Sequence, residues 1–121
     1  MTHKIIWENK GVYKHFCGFL SFEEYARTQE QILADPRVDQ IRYIINDFLD
    51  GDSYSVAPDQ VEYSAALNRG TSYSNPRIRI AYVTTRPAVR LLVKTASAIS
   101  SLTLKDFPTL EAARTWASGS T

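Results

Sequence analysis

Three carboxylates lie close together near the middle of the chain, at Asp47, Asp50 and Asp52. Oxygen ligands at this spacing could collect a hard cation such as Ca²⁺ or Mg²⁺, or could accept hydrogen bonds from a partner's basic groups. The alternative is a solvated acidic turn built around Gly51. Because calcium and magnesium sites need more ordered oxygen ligands than this spacing guarantees, we expect no metal and favour a binding role for the carboxylates.

The residues that follow the carboxylates add hydroxyl groups. Ser53 and Ser55 precede a predicted helix start at Pro58, where a phosphate would meet free backbone amides and the positive end of the helix dipole. Both serines are therefore candidate phosphosites, with an ordinary loop or capping role as the alternative. Tyrosine is enriched where one side is apolar and the other wet. The predicted partner or ligand site is Asp47, Asp50, Asp52, Ser53, Tyr54, Ser55 and Tyr63.

A thiol and an imidazole lie two residues apart at Cys17 and His15, so both side chains project from one face of a predicted strand. A thiol beside an imidazole can become a nucleophile. However, a strand interior is a poor place for attack, free cysteine usually behaves as a small buried hydrophobe, and no third orienting residue is evident. We therefore predict no catalytic residues and a protein that is not an enzyme.

Basic residues form a row at Arg86, Arg90 and Lys94, with Arg77 and Arg79 on the preceding strand. Such a row could meet an anionic ligand or partner, but a solvated helix face is the favoured interpretation. The whole chain carries 14 Lys and Arg against 13 Asp and Glu, a net charge of +1. Because this balance leaves no field to hold a polyanion, nucleic acid is not expected as a partner.

Strand and helix patterns alternate along the chain. The predicted strands are residues 3–7, 12–19, 41–48, 77–84 and 102–104, and the predicted helices run over residues 22–34, from about Pro58 to Gly70, from Pro87 onward, and after Thr109. This order indicates an α/β fold with a single mixed, mostly parallel sheet of about five strands and about four helices. Parallel sheets place sites beyond the carboxyl ends of their strands, so the loop from Asp47 to Pro58 is the expected site.

The third predicted strand is apolar on both sides. Ile41, Tyr43 and Ile45 are expected on one face, and Ile44 and Phe48 on the other. A strand that is apolar on both faces is typical of the middle of a covered sheet.

Size and composition set the broad class. The 121 residues, 44% of them hydrophobic and 22% charged, predict one soluble domain over residues 1–121 with a frayed tail at 118–121. The lone Cys17 allows no internal disulfide and fits a reducing compartment. No apolar run approaches the roughly 18 residues that a spanning helix needs, so we expect a cytoplasmic protein without a membrane span and without a cofactor.

The whole chain resembles the STAS-like group of α/β domains, the SpoIIAA-like proteins, and in particular its small, lone-domain bacterial branch. The segments that carry the resemblance are residues 7–13, 18–21, 35–37, 43–48, 80–83 and 107–113. In that family the strand before the switch loop ends in an aspartate, which Asp47 matches by position, and a phosphorylatable Ser or Thr follows at the next helix. In this chain Ser53 comes later, in a longer segment. The resemblance implies a non-enzymatic domain that binds a partner.

Two functions are favoured at this point, and an enzyme that uses His15 and Cys17 or the Asp loop is a third, less favoured alternative. The first is a regulatory or interaction domain that docks another protein through the loop after the third strand and the following helix. The second is a small carrier that holds a lipid-like or other apolar ligand under that helix. The amino-terminal strand is also expected at a sheet edge, where a second copy could pair to form a homodimer.

Overall fold

A central strand organises the molecule, which a computed structural model describes over residues 2–55 and 58–119. The strands are β1 (Thr2–Trp7), β2 (Gly11–Ser21), β3 (Tyr43–Ser55), β4 (Arg79–Val83) and β5 (Thr103–Phe107). The helices are α1 (Phe22–Leu33), α2 (Pro58–Ser72), α3 (Pro87–Ile99) and α4 (Leu110–Ala117), with a short 3₁₀ helix at Pro36–Gln40.

The five strands form one sheet in the order β1-β2-β3-β4-β5. β1 pairs with β2 in antiparallel fashion, and the other three pairs are parallel. The predicted mixed, mostly parallel sheet is confirmed, as are the central position of β3 and the edge position of β1. Short α-helical crossovers explain the parallel pairs, because parallel neighbours cannot be joined by a tight hairpin.

The sheet buries an apolar layer on each face. The larger core packs against α1 and α3 and contains Val12, Phe16 and Ile44, while the smaller core packs Ile45 of β3 under α4. Each fully buried Ile contributes roughly 1.5–3 kcal/mol. The two-sided burial predicted for the third strand is therefore confirmed, except that Ile41 lies in the same core as Ile44. Ile41 precedes β3, so the alternation of the strand does not reach it.

Side-chain caps begin three helical segments. Ser21 Oγ accepts a hydrogen bond from the Glu24 amide at 3.3 Å, and Thr109 Oγ1 accepts one from the Ala112 amide at 3.2 Å. Asp35 Oδ1 accepts the Arg37 amide at 2.9 Å, ahead of the 3₁₀ helix. Each cap satisfies an amide that the helix itself leaves unpaired. The predicted caps at Ser21 and Thr109 are confirmed.

The prediction of a loop from Asp47 to Pro58 is wrong for most of that range, because β3 continues to Ser55 and stays paired with β2. The register shifts twice: Cys17 lies opposite Asp50, and β3 then carries one more extra residue after Gly51. Such bulges keep two strands paired while bending them. Gly and Asp in this segment, which favour a turn locally, are accommodated at the bulges.

Other boundaries also differ from the prediction. α2 continues past Gly70 to Ser72, since Gly70 has no positive φ that would end the helix. β4 begins at Arg79 instead of residue 77, and β5 spans Thr103–Phe107 instead of residues 102–104. Among the residues that the structure describes, no helix is both long and apolar enough to cross a bilayer.

Candidate functional site

Asp47 lies on β3 opposite His15 of β2, and its side chain is buried beside Tyr13. The Tyr13 hydroxyl donates a hydrogen bond to Asp47 Oδ2 at 2.5 Å, and the Leu49 amide donates to Oδ1 at 3.1 Å. Burial and the neighbouring carboxylate raise the pKa of Tyr13 above its usual value. Because both Asp47 oxygens have protein partners, this carboxylate anchors the bulged segment of β3.

Asp50 follows Asp47 on β3 by three residues and is exposed to solvent. Its Oδ2 is 2.7 Å from His15 Nε2, and 67% of its side chain is exposed. The His15 ring stacks near the Tyr13 ring, with centroids 6.5 Å apart. The structure therefore brings two of the predicted carboxylates together with a tyrosine and a histidine that were not predicted to join them.

Four predicted site residues fall where only the backbone is described. Asp52, Ser53, Tyr54 and Ser55 belong to β3, and their side chains lie outside the described part of the structure. Within the described part, no group of three or more His, Cys, Asp or Glu side chains is arranged to hold a metal ion. The roles of Ser53 and Ser55 as phosphosites stay predictions.

Tyr63 is not brought to the carboxylates. It lies on α2, where its hydroxyl donates to Glu30 Oε1 at 2.6 Å and its ring meets Phe22 edge-on at 6.3 Å. Phe22 belongs to the larger core, whereas Tyr13, the partner of Asp47, packs against the smaller one. Tyr63 and Asp47 therefore lie on opposite faces of the sheet.

The carboxyl halves of β2 and β3 continue beyond their neighbours. Pairing with β1 ends at Cys17 and pairing with β4 ends at Asp47. Residues 18–21 and 51–55 form a two-stranded ribbon, which we call the β2–β3 ribbon. At its base Phe19 is 52% exposed and Leu49 is 44% exposed. The sequence analysis did not identify Phe19 and Leu49 as site residues. The available signal was that each lies next to a residue typical of turns, Gly18 and Asp50 respectively.

The predicted basic row is largely tied to the protein itself. Arg86 Nη2 donates to the Gly51 carbonyl at 2.9 Å, and Arg90 Nε bonds Asp106 at 3.0 Å. Arg79 donates to the Trp116 carbonyl at 2.7 Å. These contacts favour a structural role over an anion site.

Sequence reasoning also missed a polar group inside the larger core. Lys14 is fully buried, and its Nζ donates to Gln29 Oε1 at 2.9 Å and to Thr28 Oγ1 at 3.2 Å. Nζ also lies 4.6 Å from the centre of the Tyr25 ring. Burial lowers the pKa of Lys14 well below its usual value. The alternation of β2, which places Lys14 between Val12 and Phe16 on the core face, is the signal that could have found it.

A cavity of about 80 Å³ lies between the sheet and the helices, close to this group. Its walls are largely apolar and come from α1, α2, α3, β3 and β4: Phe22, Tyr25, Phe48, Val61, Ser64, Tyr82, Val89, Leu92, Val93 and Ala96. The Tyr25 and Tyr82 hydroxyls are hydrogen-bonded to each other at 2.9 Å. The cavity therefore combines an apolar lining with hydroxyl groups.

Solved structures with the same fold were found by comparison. An uncharacterized DUF3478-family protein with a SpoIIAA-like fold from Shewanella loihica PV-4 aligns with a TM-score of 0.56 at 15% identity, over 96% of this chain and 92% of that one. The anti-sigma factor antagonist SpoIIAA in its unphosphorylated form aligns with a TM-score of 0.65 at 11% identity, over 99% and 100%. An anti-sigma factor antagonist from Mycobacterium paratuberculosis gives 0.61 at 12% identity, over 97% and 93%.

Comparisons based on the sequence gave no match. No protein-family model matches the chain, and no curated protein matches it. At these low identities the three structures establish the fold alone. The predicted STAS-like, SpoIIAA-like fold is confirmed.

Proposed function

We propose that this SpoIIAA-like domain is a non-enzymatic regulatory module that docks another protein through the β2–β3 ribbon and the start of α2. The observation that carries the proposal is the exposure of two apolar side chains, Phe19 of β2 and Leu49 of β3, in the part of the sheet that also holds the exposed carboxylate of Asp50. Exposed apolar side chains next to a charged rim are typical of interaction sites. Two of the similar structures are named anti-sigma factor antagonists, which supports a protein partner.

The proposed surface has a defined chemistry. Phe19 and Leu49 would fill apolar recesses on the partner, and Asp50 would meet a basic group. Ser53 and Ser55 belong to the same strand, so phosphate on either would add negative charge to this surface. We propose that phosphorylation there changes the affinity for the partner.

Affinity capture with matched variants tests the docking surface. Wild-type protein, Phe19→Ser, Leu49→Ser and Asp50→Lys would be used as baits in extracts of the native cells. Leu91→Ser is the control, because Leu91 on α3 is an apolar side chain that is 66% exposed and lies outside the ribbon. We expect the ribbon variants to lose a protein that the wild type and Leu91→Ser retain. Capture of the same proteins by all five baits would contradict the proposal.

The cavity beneath α2 favours a second candidate function, the binding of a small apolar ligand. A cavity needs a volume of about 10–15 Å³ to hold one water-sized group. The cavity volume of about 80 Å³ therefore has room for roughly five to eight such groups. This is well below the roughly 300–1,000 Å³ of drug-sized ligand sites. A ligand would therefore be short. Mass spectrometry of material extracted from natively purified protein tests this, and an extract without any small molecule above the buffer control counts against it.

The homodimer stays a prediction for β1. This strand forms one edge of the sheet, and Ile6 on it is half exposed. Light scattering coupled to size exclusion distinguishes a monomer of 13.7 kDa from a dimer.

A further inference from the structure

The larger core contains polar groups that protein docking does not use. Lys14 donates to Gln29, and Gln29 Nε2 in turn donates to Asn68 Oδ1 at 3.2 Å, which joins β2, α1 and α2. Among the described side chains, no carboxylate pairs with the Lys14 amine. An amine buried without a counter-charge is costly to keep in a core. The group is therefore in place for an acidic partner that the chain itself does not supply among these residues.

A second polar side chain lies beside Lys14 with nothing to bond. Asn46 is fully buried on β3, directly across from Lys14, and neither its Nδ2 nor its Oδ1 has a hydrogen-bond partner among the described residues. Buried amides are nearly always hydrogen-bonded, so an amide with two unpaired atoms calls for a specific explanation. A ligand that accepts from Nδ2 would satisfy one of these two atoms.

These two residues do not line the cavity themselves but lie close to its wall. Lys14, Asn46 and Tyr82 are register partners on three neighbouring strands and form one row across the sheet. Neighbouring strands lie about 4.8 Å apart, so Asn46 is one strand away from the cavity wall at Tyr82 and Lys14 is two. Tyr25 links the two regions, because its ring lines the cavity and lies under the Lys14 ammonium.

The chemistry of the two regions defines one class of ligand. An apolar cavity with room for roughly five to eight small groups fits a short alkyl chain. The Lys14 amine and the Asn46 amide N–H, which lie beyond the cavity wall at Tyr82, fit a carboxylate, which accepts hydrogen bonds and pairs with a cation. Because burial lowers the pKa of Lys14, the acid would enter with its proton, and the ammonium–carboxylate pair that then forms adds no net charge to the core, which reduces the burial cost.

We propose that the cavity binds a short-chain monocarboxylic acid of about five carbons, whose alkyl group lies among the apolar cavity walls and whose carboxylate is held by Asn46 Nδ2 and Lys14 Nζ. This inference rests on the second candidate function, ligand binding under α2, and is independent of protein docking. Tyr25 and Tyr82 both line the cavity, and their hydrogen-bonded hydroxyls would reorient toward the carboxylate.

Calorimetric titration with two probes of equal chain length tests the proposal. Pentanoate carries the carboxylate, and pentan-1-ol offers the same alkyl chain without charge. We expect the wild type to bind pentanoate at least about tenfold more tightly than pentan-1-ol, as one charge-assisted hydrogen bond allows. Lys14→Met and Asn46→Leu should lose that preference and keep the binding of pentan-1-ol, which also shows that the variants are folded. Lys94→Met, at an exposed lysine of α3, is the control and should keep the preference.

Each alternative result has a distinct meaning. If the wild type binds pentan-1-ol as tightly as pentanoate, the carboxylate site is overturned and ligand binding under α2 stands. If Lys14→Met and Asn46→Leu both keep the full preference for pentanoate, the site is also overturned. If neither probe binds the wild type, this inference and the ligand-binding candidate fail together, and the docking proposal is untouched.

Discussion

Tyr13 and Asp47 lie on neighbouring parallel strands, 34 residues apart in the sequence, and are joined by a hydrogen bond of 2.5 Å. The bond spans the point where β3 leaves β4 and continues as part of the β2–β3 ribbon. Asp47 Oδ1 also accepts the amide of Leu49, one of the two exposed apolar residues of the proposed docking surface. The contact therefore connects the regular sheet to the candidate site.

Removal of the Tyr13 hydroxyl should destabilise the protein. Hydrogen bonds to charged groups contribute about 1.5–3 kcal/mol, and partial exposure of Tyr13 should leave a loss of about 1–2 kcal/mol in Tyr13→Phe. Tyr73→Phe is the control, because Tyr73 is 84% exposed and should change the free energy of unfolding by less than about 0.5 kcal/mol. Urea denaturation measures both, and equal losses in the two variants would contradict this role.

Lys14 should make stability increase with pH. Its folded-state pKa is lowered, so the unfolded chain binds one more proton over the interval between that pKa and the usual value near 10.4. Stability rises with pH wherever the unfolded state binds more protons, by at most about 1.4 kcal/mol per pH unit. The unfolding free energy of the wild type minus that of Lys14→Met should therefore increase as the pH is raised.

The measurement is best made between about pH 7 and about pH 9.5. At higher pH the raised pKa values of Tyr25 and Tyr82 act in the opposite direction, because these hydroxyls ionise more easily in the unfolded chain. A wild-type minus Lys14→Met difference that stays flat over this interval would show that Lys14 keeps its charge in the folded protein.

Two glycines should respond to alanine with opposite signs. Gly18 in the ribbon has φ of 78°, where an added Cβ is strained, so Gly18→Ala should cost about 1–2 kcal/mol. Gly70 lies within α2 with open space around its Cβ position, so Gly70→Ala should stabilise by about 0.5–1 kcal/mol. Thermal unfolding of the two variants and the wild type measures these changes in stability. Destabilisation by Gly70→Ala would show that α2 does not continue through residue 70.

Glu8 should contribute less to the folding stability at acidic pH than at neutral pH. Arg114 bonds both Glu8 oxygens, at 2.9 and 3.0 Å, and Tyr43 donates at 2.5 Å. The Arg114 hydrogen bonds, with help from Tyr43, hold the pKa of Glu8 below its usual value. A lowered pKa means that this stability is present above about pH 4.5 and is lost as pH falls through the folded value.

Glu8→Gln should therefore lower stability at pH 7 and have less effect near pH 3. The partly exposed Arg114 limits the difference to about 1 kcal/mol. Glu62→Gln, at an exposed site on α2, is the control and should show no comparable change. A Glu8→Gln effect of the same size at both pH values would mean that packing, and not the ion pair, accounts for the loss.

The fold could be predicted because its signals are local. The alternation in residues 12–19, the two-sided apolar strand around Ile44, and the caps at Ser21 and Thr109 each depend on a few adjacent residues. The extent of β3 could not be predicted in this way. Gly51 and Asp52 have turn chemistry, and only pairing with β2, more than 30 residues earlier, keeps them in a strand.

The candidate site could be predicted only in part for the same reason. Asp47 and Asp50 are close in the sequence, but their contacts with Tyr13 and His15 depend on the register of two strands distant in sequence. Tyr63 follows the carboxylates closely in the chain, yet the path of α2 places it on the other face of the sheet. Lys14 differs, since strand alternation alone indicates that it points into the core.

Native mass spectrometry of the protein purified from its own cells tests the docking proposal most directly. We predict that the wild-type spectrum contains the chain bound to a second protein, that Leu91→Ser retains this complex, and that Phe19→Ser and Leu49→Ser yield the chain without that protein. A complex of unchanged abundance in both ribbon variants, or a wild-type chain that carries no protein partner, would contradict the account.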